Sequence, residues 1–161
     1  MNRKKFIIIF LFMFAFLSLA VNWSIMRSKM YDYNTSEVMK KIERSNFPLD
    51  VKIPTKVPFE EMSMLESGTT DHQLRVRLLD KDKNVIEYRI TNIPITYSNE
   101  IKQRKVVIHN NIEAVFIPKD TMKRILSWQD GDLYYEITYF SKVTPSELSK
   151  KQLVKMAESF N

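Results

Sequence analysis

The N-terminal part of the chain contains an apolar run that is long enough to cross a membrane. Between Phe6 and Met26 there is no charged side chain. A helix of roughly 20 apolar residues, rising about 1.5 Å per residue, matches the hydrocarbon thickness of a bilayer. Trp23 stands near the end of the run, where an interfacial aromatic side chain is favoured. The sequence therefore predicts a single transmembrane helix, a signal-anchor, over residues 6–26.

The same run also has the features of a cleaved secretory signal peptide. Three positive residues, Arg3–Lys5, precede it, and Ser18 and Ala20 are small residues at the two positions that a signal peptidase reads. In both interpretations residues 1–5 form a cytoplasmic leader and the rest is exported, because a charged leader tends to stay inside. We expect a single-pass protein of the cell membrane with an extracytoplasmic C-terminal domain; the alternative is a secreted protein.

Composition excludes several classes of function. Lys and Arg total 25 against 19 Asp and Glu, and without the three positive residues of the leader the balance is 22 against 19, a net charge of +3. This net charge is too small to indicate a nucleic-acid-binding surface, which needs a concentrated basic face. The absence of cysteine removes disulfides, thiolate catalysis and cysteine zinc sites. Two glycines are too few for a glycine-rich phosphate loop.

The exported part has the pattern of an α+β domain. A capping pair, Asn34 and Glu37, predicts a short amphipathic helix over residues 35–45 that lies on a sheet. Prolines at 48, 54 and 58 then limit regular structure to short extended pieces. We assign residues 27–46 to a juxtamembrane linker and helix, and residues 47–161 to the extracytoplasmic domain.

Within that domain, alternating apolar and polar residues predict three antiparallel hairpins. Their strands cover residues 73–78 with 86–90, 105–109 with 112–117, and 124–129 with 133–140. A final helix has two overlapping starts, at Thr144 and at Ser149, and its buried stripe ends at Phe160. The predicted fold is an antiparallel meander sheet with the N- and C-terminal helices packed on one face.

Three segments carry a resemblance to a known family. They are the proline-spaced entry over residues 47–58, the hairpin Ile125–Ile137 with its tryptophan, polar turn and tyrosines, and the closing stretch Ser149–Phe160, which reads SKKQLVKMAESF. Together they resemble the DUF4367 family of extracytoplasmic bacterial domains, over about residues 45–161. Phe59–Glu61 depart from the family pattern, which has a glycine-containing turn there.

This resemblance implies a non-catalytic regulatory, sensory or accessory role at the outer face of a Gram-positive-like bacterial membrane. Some members of the family follow a cytoplasmic sigma-factor-binding domain, but the five-residue leader is too short to hold one. A signal would therefore have to pass through another membrane protein. The expected partners are the membrane, which the chain crosses once, and a membrane or wall protein.

Catalytic, cofactor and metal sites are not expected from the residues. The two histidines, His72 and His109, have no second histidine or cysteine at ligand spacing. A solvated loop is the interpretation that we favour for Glu60, Glu61 and Glu66. Two carboxylates act as general acid and base only when they are held across a cleft with separated pKa values. The serines at 127, 141 and 146 lack the glycines of a nucleophile elbow.

Two groups of side chains on the predicted sheet are candidates for a partner surface. Alternation along residues 133–140 places Tyr134 and Glu136 on the face opposite the core. Arg75, Arg77 and Arg89 lie on the polar sides of neighbouring strands, with Glu87 beside them. We predict a binding, sensory or regulatory module that contacts a partner protein or cell-wall component. The alternatives are a cell-envelope enzyme and a binder of anionic wall polymer or lipid headgroups.

Overall fold

A computed structural model describes residues 13, 28–45, 47, 50–120, 122–140 and 148–161. Within these ranges the chain is mostly antiparallel sheet with two helices, so the predicted α+β class is confirmed. The helices are α1 (Ser36–Glu43) and α2 (Lys150–Ala157). The strands are β1 (Tyr31–Asp32), β2 (Lys56–Val57), β3 (Ser63–Thr69), β4 (Gln73–Leu79), β5 (Val85–Thr91), β6 (Arg104–Ile108), β7 (Ile112–Asp120), β8 (Lys123–Asp130) and β9 (Leu133–Phe140).

Some sequence predictions fall on residues that are not described. In the described part of the chain, no helix combines the length and the apolar character that a membrane span requires. Apart from Met13, the predicted span over residues 6–26 lies outside the described residues and stays a prediction. The helix start at Thr144 lies outside them as well, as do Ser141 and Ser146.

Seven strands form one antiparallel sheet, and β1 and β2 form a separate pair. The spatial order of the large sheet is β3, β4, β5, β9, β8, β7, β6. The three predicted hairpins are confirmed as β4–β5, β6–β7 and β8–β9. The single meander is replaced by two meanders, β3–β5 and β6–β9, because β5 pairs with β9 at the centre of the sheet. The segment 92–103 makes this order possible by leading from β5 to the far edge at β6.

Local chemistry explains the turns and the helix starts. Gly131 has φ of 60° in the β8–β9 turn, and Asn111 has the same φ in the 3₁₀ turn between β6 and β7. Ser149 and Gln152 form a reciprocal capping box at the start of α2. At α1 the cap differs from the predicted pair, because Asn34 Oδ1 accepts from the Ser36 amide at 3.0 Å and the helix begins at Ser36.

One face of the sheet carries the main core. Side chains in register across five strands are buried there: Val76, Tyr88, Ile137, Leu126 and Phe116. The same buried cluster contains Val38 and Ile42 of α1 and Leu153 and Met156 of α2. The segment before residue 47 therefore contributes directly to the folded domain. Burial of such aliphatic side chains contributes about 1.5–3 kcal/mol each.

Candidate functional site

A groove opens on the core side of the sheet, between the β6–β7 turn and the end of α2. Its volume is about 520 Å³. Ile108, His109 and Ile112 line one side, and Ala157, Glu158 and Phe160 line the other. The ends of β8 and β9 form the floor through Trp128 and Tyr135. We call this site the aromatic groove.

The floor of the aromatic groove is a cluster of three packed aromatic rings. Trp128 and Tyr135 are opposite each other in the β8–β9 register, and their rings are 5.2 Å apart with an interplanar angle of 8°. Phe160 meets both rings edge-on, at centroid distances of 5.1 Å and 5.7 Å. Stacked and edge-on arrangements are the ones that aromatic pairs prefer. The three rings therefore stabilise one another at the floor of the groove.

Charged side chains stand at the rim of the aromatic groove. Lys52 Nζ lies 2.7 Å from Asp130 Oδ2, and the hydrogen bond to Asp130 is the main cause that raises the pKa of Lys52. Burial is the main cause that raises the pKa of Tyr135. His109 and Glu158 are both exposed at the rim. The groove thus combines an apolar floor with charges of both signs.

The two histidines differ in their surroundings. His109 shares the aromatic groove with Asp130 and Glu158, but among the described residues no ion pair links it to either carboxylate. His72 lies away from the groove, where its Nδ1 is 3.3 Å from Asn92 Oδ1. Over the described ranges, no group of three or more potential ligand residues is arranged to hold a metal ion.

The opposite face of the sheet brings the three predicted arginines together with three glutamates. Arg75 is directly opposite Arg89 in the register of β4 and β5. The ion pairs join Arg77 to Glu87 at 2.7 Å and to Glu66 at 3.1 Å, Arg75 to Glu87 at 3.8 Å, and Arg89 to Glu136 at 3.2 Å. The positive charge on this face is therefore largely balanced within the protein.

Glu136 is buried on that face, with 9% of its surface exposed. Tyr97, in the segment 92–103, donates a hydrogen bond to Glu136 Oε2. Burial raises the pKa of Tyr97, and the charge of Glu136 adds to the shift. Tyr134, on the same side of β9, is half-buried. The partner surface predicted from Tyr134, Glu136 and the three arginines stays a prediction. The segment 92–103 already covers part of it, because Tyr97 contacts Glu136.

Sequence reasoning did not predict the aromatic groove. The tryptophan and tyrosines of the hairpin Ile125–Ile137 were part of the family resemblance only, and Lys52, His109 and Phe160 come from distant segments. The signal that pointed towards it was the cluster of aromatic residues around the Asp130–Gly131 turn.

The DUF4367 resemblance stays a prediction. It rests on short motifs, most of which have structural roles in this fold. Comparison with protein-family models, curated proteins and solved structures finds no match to this chain.

Proposed function

We propose that this protein is a membrane-tethered extracytoplasmic binding module that holds a short segment of a partner protein in the aromatic groove. The observation that carries the proposal is the open groove of about 520 Å³ beside the packed rings of Trp128, Tyr135 and Phe160. Binding sites commonly have volumes of about 300–1,000 Å³, with an apolar lining and a few polar groups. The predicted span over residues 6–26 supplies the tether, and a sensory or regulatory role follows if the partner is itself a membrane protein.

The rim and the neighbouring strand favour a peptide as the ligand. Lys52, Asp130 and Glu158 supply one positive and two negative groups, which suit the mixed polarity of a peptide. Strand β6 is the last strand of the large sheet and leads directly into the groove wall at Ile108. Val107 on this strand is 60% exposed. An edge strand of this kind pairs readily with an added strand.

Site-directed photocrosslinking in membranes of producing cells tests the proposal. A benzoylphenylalanine at His109, which is exposed, reports on the aromatic groove, one at Tyr134 reports on the opposite face, and one at Asp71 in the β3–β4 turn is the control. We expect a reproducible crosslinked product from position 109 and none from position 71. A product whose mass does not change after treatment with a wall hydrolase, and whose tryptic digest contains peptides of a second protein, identifies the partner as a protein.

Three outcomes contradict the proposal. A product from position 134 alone would move the contact to the opposite face of the sheet. A product that a wall hydrolase returns to the mass of the free chain would identify a wall polymer, which is one of the two alternatives predicted from the sequence. An absence of any product from position 109 would contradict binding of a partner in the aromatic groove. Digestion of the domain by an impermeant protease added to intact cells tests the exported location separately.

A further inference from the structure

A second groove, of about 630 Å³, lies beside the point where the described chain resumes at Ser28. Its walls come from residues 28–30, from the residues around β2 and from the end of α2. Three lysines line it, Lys29, Lys56 and Lys155, and Glu158 is its one acidic lining residue among those described. The side chains of the lining therefore have a net charge of +2. We call this site the juxtamembrane groove.

The lysines are placed by contacts with different parts of the fold. Lys155 Nζ donates to the Ser28 carbonyl oxygen at 2.8 Å, which fastens α2 to the chain before β1. Lys29 Nζ lies 4.6 Å from the centre of the Tyr31 ring. Lys56 is exposed and stands opposite Asp32, also exposed, in the β1–β2 register. Lys151 lies one turn before Lys155 and adds a further positive charge on that side of α2.

The groove is close to the end of the predicted span in the covalent chain. Ser28 follows Met26, the last residue of the uncharged run, by two positions. Two residues reach at most about 7 Å even when fully extended. The Debye length at physiological ionic strength is about 8 Å. Because Ser28 lies within that reach, a membrane-embedded run places the groove inside the electrostatic field of the bilayer surface.

We propose that the juxtamembrane groove binds the phosphodiester headgroups of anionic phospholipids in the membrane that holds the anchor. The contact lays α2 and the β1–β2 pair against the bilayer and thereby orients the domain. The proposal rests on the proposed transmembrane anchor. The arginine face is a weaker candidate for this ligand, because ion pairs with Glu66, Glu87 and Glu136 balance its charge.

The size of the effect follows from the number of lysines. A lysine near an anionic membrane surface increases binding roughly fivefold, and three lysines together increase it roughly 100-fold. The attraction weakens as salt shortens the Debye length. The orientation of the domain should therefore depend on both lipid charge and ionic strength.

Lysine footprinting of the full chain in nanodiscs tests this proposal. The discs contain either phosphatidylcholine alone or equal parts of phosphatidylcholine and phosphatidylglycerol. A water-soluble acylating reagent modifies exposed lysines, and mass spectrometry gives a rate for each one. We expect Lys29 and Lys56 to react at least fivefold more slowly in the anionic discs, with recovery at high salt. The exposed lysines 81, 83 and 102 serve as internal references with unchanged rates.

A charge reversal completes the design. In anionic discs, Lys56→Glu should restore the reaction of Lys29, whereas the matched variant Lys102→Glu should leave Lys29 protected. Equal rates in both kinds of disc would overturn the headgroup proposal while the anchor stands. Protection by inorganic phosphate in neutral discs would make a soluble anion the ligand and overturn the membrane source. A chain that does not co-elute with discs would overturn the anchor, and this proposal with it.

Discussion

Arg89 on β5 and Glu136 on β9 stand directly opposite each other at the centre of the sheet. Arg89 Nη2 lies 3.2 Å from Glu136 Oε2, and Glu136 also accepts the hydrogen bond from Tyr97. The three residues belong to the first meander, the second meander and the segment that connects them. This cluster therefore holds the two halves of the sheet together at the junction where they meet.

A double-mutant cycle of Arg89→Met and Glu136→Gln should give a coupling energy of about 1–2 kcal/mol, because both side chains are largely buried. Lys105 and Glu113 form the matched control pair, at 3.1 Å but with side chains that are 84% and 73% exposed. Their cycle should give a coupling near zero, because water screens the pair. Chemical unfolding of the full chain in detergent measures both couplings. Equal couplings would contradict the role of burial.

Replacement of the two glycines should have opposite effects. Gly131→Ala should destabilise the protein by about 1 kcal/mol, because Gly131 has φ of 60° and a residue with a Cβ is strained there. Gly68 has no positive φ, and a Cβ at this position meets no atom within 4 Å. Gly68→Ala should therefore be neutral or slightly stabilising. Thermal unfolding of the two variants side by side checks the prediction, and a similar loss in both would contradict it.

Stability should fall at alkaline pH because of buried tyrosines. Burial raises the pKa of Tyr33 to about 12, and the charge of Glu37 adds to the shift. A tyrosine in the unfolded chain titrates near pH 10. The folded state therefore binds the Tyr33 proton more tightly than the unfolded state does. The contribution of Tyr33 to the free energy of unfolding is fully present below about pH 10 and is lost as the pH rises towards about 12.

The Tyr33→Phe variant isolates this effect. Its free energy of unfolding, measured in parallel with that of the wild type, should differ by a constant amount below about pH 10. Above that pH, the wild type should lose stability that the variant does not lose. A difference that stays constant up to about pH 12 would show that folding does not shift the titration of Tyr33.

Phe160 should contribute more to stability than another half-buried phenylalanine. Its ring contacts those of Tyr88, Trp128 and Tyr135, whereas Phe59 has one such contact among the described residues, with Tyr139. Each aromatic pair is worth about 0.5–1.5 kcal/mol beyond burial. Phe160→Ala should therefore cost about 1–2 kcal/mol more than Phe59→Ala in chemical unfolding. Equal losses would contradict the contribution of the ring cluster.

Sequence patterns predicted the local elements of this fold well. The hairpins β4–β5 and β8–β9 follow from clear alternation and polar turns, and α2 follows from its capping residues and apolar stripe. Strand β3 was missed, because SMLESGT does not alternate and has an irregular register between Met64 and Glu66. The β5–β9 pairing was missed because alternation identifies strands without saying which of them are neighbours.

The candidate sites were harder to predict for the same reason. The arginines were correctly placed on one side of adjacent strands, and Glu87 was recognised as a neutralising neighbour. The role of Tyr97 was not visible, because no local pattern shows that residues 92–103 cross the sheet. The aromatic groove depends on Lys52, His109 and Phe160, which only tertiary folding brings together.

The central position of β9 has a consequence for how the protein matures. A chain that is synthesised from its N-terminus presents β3, β4 and β5 well before β9. During that interval β5 has a free hydrogen-bonding side, and its apolar residues Ile86, Tyr88 and Ile90 have no neighbouring strand on that side. Completion of the sheet therefore waits for β9, and newly made molecules are most exposed to aggregation or proteolysis until then.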